Sequence, residues 1–71
     1  MKVYFSGTVR YKDLHSGTEK TTTCQTSVHT MSSMPTEMEI RGRIKDVFDM
    51  NYDYGVIFIS VESVQAHKLS D

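Results

Sequence analysis

Apolar and polar residues alternate strictly from Lys2 to Lys12. Val3, Phe5, Gly7, Val9 and Tyr11 fall on one side and Tyr4, Ser6, Thr8 and Arg10 on the other, the period of two that marks a half-buried strand. Asp13-Leu-His-Ser-Gly17 follows, rich in turn formers and short enough to close a hairpin. A second strand is expected from Thr18 to about Thr30. Its even positions place Cys24 and Val28 among threonines, and its odd ones are Glu19, Thr21, Thr23, Gln25, Ser27 and His29. This is a β-prone run with little to bury, as suits a sheet edge.

Met31-Ser-Ser-Met-Pro35 breaks the strand, and Thr36-Glu-Met-Glu39 has the spacing of a helix capping box. Ile40, Ile44, Val47 and Phe48 then recur at helical spacing as one apolar stripe, which predicts a helix ending near Asp49. Gly55 to Val64 is the most apolar stretch of the chain. Read with an unbroken period of two, it turns Ile57, Ile59 and Val61 to the core and Val56 and Phe58 to the opposite face. The expected fold class is α+β with order β-β-α-β: a small, mainly antiparallel three-stranded sheet with one helix packed on one face. Strand one takes the centre and strand three lies beside it. Residues 1–65 form the domain, residues 66–71 form a short polar tail, and Ile59 and Phe48 are core positions.

Composition adds limits more than it adds function. At 71 residues the chain is near the size at which one core is marginal without a staple. Its single cysteine, Cys24, has no partner in the chain, and no Cys/His spacing matches a zinc site. Self-association is the remaining support. The net charge of −1 provides no global field for nucleic acid or anionic membrane. The charge is uneven, at +2 over residues 1–20, +1 over 21–45 and −4 over the rest. Met1-Lys-Val-Tyr-Phe-Ser reads as neither signal peptide nor membrane span, so the expected location is cytoplasmic, with no membrane partner.

Asp49-Met-Asn-Tyr-Asp53-Tyr-Gly55 opens like a calcium loop. Its glycine comes one residue late, Ser60 stands where the bidentate glutamate belongs, and a strand follows instead of a helix, so a polar connection is the better reading. His15, His29 and His67 are scattered over turn, strand and tail without a metal or acid/base pattern. Cys24 reads as a half-buried structural thiol. There is no phosphate-cradling glycine loop and no nucleophile elbow. The expectation is a non-enzymatic chain without catalytic, cofactor-binding or metal-binding residues.

That leaves the outer sheet face, where Tyr4, Val56 and Phe58 are expected beside Arg10, Lys2 and Lys12. Such a mixture suits protein contact, because Tyr, Phe, Met and Arg are enriched at interfaces. Met31, Met34, Met38 and Met50 add adaptable apolar surface around the helix ends. The alternative is base stacking by exposed aromatics, as in sheets that bind RNA or single strands. The leading expectation is a protein-interaction module that forms a homodimer, with Tyr4, Arg10, Val56 and Phe58 as its surface. The Ser/Thr-rich opening Met1-Lys-Val-Tyr-Phe-Ser-Gly-Thr-Val9 resembles, in size and style, small accessory proteins of temperate bacteriophages and prophages. That resemblance implies binding to a host protein and transfers no residue role.

Overall fold

A computed structural model describes residues 1–52 and 54–70 of the chain, and Asp53, in the loop with the calcium-like opening, lies outside the described residues. The elements are β1 (Lys2–Asp13), β2 (Thr18–Gln25), β3 (His29–Thr30), α1 (Glu37–Asn51) and β4 (Val56–Ser70). The architecture is α+β, one helix on an antiparallel sheet. β1 is central, with β2 and the two-residue β3 on one side and β4 on the other.

β1 earns the centre through its alternation: Val3, Phe5 and Val9 are fully buried beneath the helix, and every second residue points away. Gly7 lies in the same buried row, because the helix comes down on it. A Cβ there would stand 2.7 Å from the Ser63 carbonyl oxygen and 3.1 Å from Ile44 Cγ2. The β1–β2 turn closes through the Gly17 N–H donating to the Asp13 carbonyl at 2.8 Å, with Gly17 at φ 72°, a conformation that glycine adopts without strain. Asp13 also accepts from the His15 N–H and from Lys20 Nζ, each at 2.9 Å.

The predicted second strand divides. β2 stops at Gln25, because Thr26 turns its side chain into the core and bonds to both polar groups of Phe5: its Oγ1 accepts from the Phe5 N–H and its own N–H donates to the Phe5 carbonyl. Val28 is consequently 52% exposed instead of sharing the inward face with Cys24.

Thr36 caps α1, its Oγ1 accepting from the Glu39 N–H at 3.3 Å. The apolar stripe packs as its spacing requires: Ile40, Ile44 and Phe48 are buried, with Val47 against them. Phe48 centres an aromatic cluster, with ring centroids 4.7 Å from Tyr52, 5.5 Å from Tyr11 and 5.8 Å from Phe58.

β4 departs furthest from the sequence reading. It pairs with β1 from Val56 opposite Asp13 to Ser70 opposite Lys2, with Ile59, Glu62 and Leu69 as extra residues at three irregularities in register. Each extra residue resets the alternation. Val61 faces the core as expected. With Ile59 inserted, however, the inward residues before it are Val56 and Phe58, which pack on the core cluster, while Ile57 and Ile59 are 52% and 43% exposed. Ile59 is therefore not a core residue. The segment read as a polar tail from Ala66 is strand as far as Ser70.

Candidate interaction surface

The helix covers one side of the sheet. The other presents Tyr4, Ser6, Thr8, Arg10 and Lys12 from β1. Ladder partners on the same side are Gln25, Thr23, Thr21 and Glu19 from β2, and His67, Gln65, Ser63, Ser60 and the exposed Ile57 from β4. Hydroxyls and amides dominate its centre, and Ser6, Thr8, Thr23, Ser63 and Gln65 border a shallow depression of about 180 Å³.

Of the four residues expected to form the surface, only Tyr4 and Arg10 are on this face. Val56 and Phe58 are turned to the helix side, where Lys45 Nζ lies 5.0 Å from the Phe58 ring centroid. Tyr4 and Arg10 are six residues apart on one strand, about 20 Å in extended backbone, and they head separate clusters.

At one end Tyr4 stacks on His67, with ring centroids 4.5 Å apart and planes 13° from parallel, and His67 Nε2 is 2.8 Å from Ser6 Oγ. A serine within hydrogen-bond reach of an imidazole is one requirement of an activated nucleophile. The second requirement is a group that orients the base, and among the described residues no side chain bonds to the other ring nitrogen of His67. The pair has a simpler consequence: it fixes the His67 ring against Tyr4 and stiffens this end of the face.

At the other end Arg10 donates to Glu62 and, at 3.4 Å, to Glu19. The two carboxylates, Glu62 foremost, raise the already high guanidinium pKa and offset the charge that a phosphate would need. All three side chains remain partly exposed, at 39–58%, so the triplet orders the surface more than it stabilises the fold.

The remaining sequence candidates fall elsewhere. His15 lies beside Gly55 in the turn region, and His29 borders a groove with Val47, Met50 and Arg43 on the helix side. Cys24 is buried, and burial pushes its thiol pKa up, away from reactivity. Asp49 pairs with Lys45 at 2.8 Å. Met38 and Met50 are 82% and 79% exposed on the helix.

Reasoning from sequence placed Ser6 and Glu62 on this side of the sheet but missed Gln65 and His67 as members of the surface. A β4 continued past Val64 would have brought His67 level with Tyr4. The signal was weak because Ala66-His-Lys-Leu-Ser70 has no clean alternation. Among the described residues no helix is long and apolar enough to cross a membrane. No protein-family model, curated protein or solved structure matches the chain.

Proposed function

We propose that this chain is a non-catalytic protein-interaction module, one that binds a partner through the side of the sheet its helix leaves uncovered. The observation that carries this reading is the one-sided cover: α1 buries Val3, Phe5 and Val9, while the face bearing Tyr4, Ser6, Thr8 and Arg10 has no covering element among the described residues. Its side chains are already held in place by the Tyr4–His67 stack and the Arg10–Glu62–Glu19 triplet. A pre-ordered polar surface with an aromatic group at one end and an arginine at the other loses little side-chain entropy on docking. A host protein, the partner class implied by the likeness to bacteriophage accessory proteins, fits this chemistry.

Nucleic-acid binding has one favourable feature, the Tyr4–His67 stack. It has less support overall, because Phe58 is turned away from the face and Arg10 is offset by two carboxylates. Affinity capture from bacterial lysate, with and without nuclease, separates the two. The expected result is a retained protein that resists nuclease and is lost with Tyr4→Ala. A yield that nuclease abolishes would replace this reading with the second.

A further inference from the structure

Among the described residues β4 is paired along one side only, and the direction of its backbone groups follows from Phe5. Both polar backbone groups of Phe5 bond to Thr26, on the β2 side. Alternation then directs those of Tyr4, Ser6 and Thr8 toward β4, so their ladder partners His67, Gln65 and Ser63 face β1. The N–H and C=O groups of Val64 and Ala66, between them, face outward. The same phase places the Val61 carbonyl outward, and it is there that Arg41 of α1 donates a hydrogen bond.

The chain thus treats the two halves of this edge differently. The first half is guarded by the extra residues Ile59 and Glu62 and by Arg41 on the Val61 carbonyl. From Ser63 to His67 the ladder is regular, and the run Ser-Val-Gln-Ala-His contains no Lys, Arg, Asp, Glu, Pro or Gly. The devices by which proteins blunt strand edges are missing from this run, and Lys68 and the extra residue Leu69 come only after it.

The geometry points to a second copy of this chain as the occupant, with the two β4 edges joined antiparallel about a two-fold axis at Gln65. The two-fold supplies the antiparallel sense, and this register matches every partner. Val64 of each copy stands opposite Ala66 of the other as a hydrogen-bonded pair, giving four backbone hydrogen bonds from the outward groups alone. Gln65 faces Gln65 of the second copy, amide to amide. Ser63 lies level with His67, both on the Tyr4 side of the sheet. The result is one continuous sheet, β2-β1-β4-β4-β1-β2, with both helices on the same face and the Tyr4 surfaces together on the other. A two-copy array of those surfaces is how the dimer deepens the binding-module reading on which it rests.

Sedimentation equilibrium of the intact chain from about 1 μM to 1 mM, the range suited to a small interface, tests the pairing. The expected wild type is a reversible dimer. Ala66→Pro removes an outward N–H and no bond to β1, and proline is tolerated at such edge positions. It should weaken association about tenfold or more while circular dichroism stays native. Gln65→Glu and Gln65→Lys should each be monomeric, because like charges meet at the axis, and an equimolar mixture should associate. If Ala66→Pro alters the fold, the Gln65 pair decides. A wild type that is monomeric throughout, a dimer indifferent to these changes, or a mixture that stays monomeric overturns the pairing. Nuclease-resistant capture through Tyr4 is read separately, so a monomer that still captures its partner leaves the binding-module reading standing.

Discussion

Gly7 sits between Ile44 of the helix and the backbone of β4, and the distances around it decide what the position tolerates. Of the two contacts that a Cβ would make, the one to Ile44 can relax by a small side-chain movement, but the 2.7 Å contact to the Ser63 carbonyl is backbone held by the β1–β4 ladder. Gly7→Ala should therefore destabilise the fold by about 1–3 kcal/mol, the usual cost of overpacking. Urea melts of wild type and variant check this, and an unchanged midpoint would mean that β4 yields freely at Ser63. Asp13 makes a second residue-scale prediction. Its carboxyl is held below the ordinary value of 3.8, chiefly by the hydrogen bond from Lys20 and then by the His15 N–H. A group lowered in this way contributes stability that is complete above its ordinary value and is lost as pH falls through the lowered one. Thermal melts between about pH 5 and pH 2 should show a shallower acid-side decline for Asp13→Asn than for wild type.

At the scale of elements, α1 is set by local signals and β4 by tertiary ones. Thr36 satisfies one of the orphan amides of the first turn, so Thr36→Ala should cost about 1 kcal/mol in a chemical melt. Phe48, 1% exposed and in contact with three other rings, should cost about 3–5 kcal/mol on truncation to alanine. Ile59→Ala, at a position 43% exposed, should stay within about 1 kcal/mol. A melt in which Ile59→Ala falls as far as Phe48→Ala would contradict the facing of β4. The helix was readable from the chain because its cap, its stripe and its length all follow from neighbours in sequence. β1 was readable because its alternation is unbroken. β4 was legible only in part. An extra residue leaves no mark in a single sequence, so a period of two carried through Ile59 assigned Ile57 inward and Phe58 outward. The outer face inherited that error, since two of its four expected residues depended on the facing of β4. Ser6 and His67 became neighbours only through pairing across 61 positions of chain.

At the scale of the whole molecule, the described chain is a rod, 44 Å by 17 Å by 15 Å, whose long axis is set by the β1–β4 ladder. In a body this thin each end of the sheet depends on its own partners. Lys2 to Phe5 are held on one side by β3 and by Thr26, and on the other by Ala66 to Ser70. The last residues of β4 therefore complete the sheet beside two of the fully buried core side chains, Val3 and Phe5. A chain ending after Gln65 would lose the ladder opposite Tyr4 and the stack on its ring, and would open the edge next to Phe5 to water. Such a truncation should lower stability by several kcal/mol, a large part of what a domain of this size has. Hydrogen exchange gives the local readout. In the intact chain the amides of Tyr4 and Ser6, directed at β4, should be protected, and in the truncated chain that of Tyr4 should exchange first because its partner strand is gone. If the truncated chain melts with the wild type and keeps the Tyr4 amide protected, residues 66–71 are dispensable to the sheet, and this end of the rod is held by β3 and Thr26 alone.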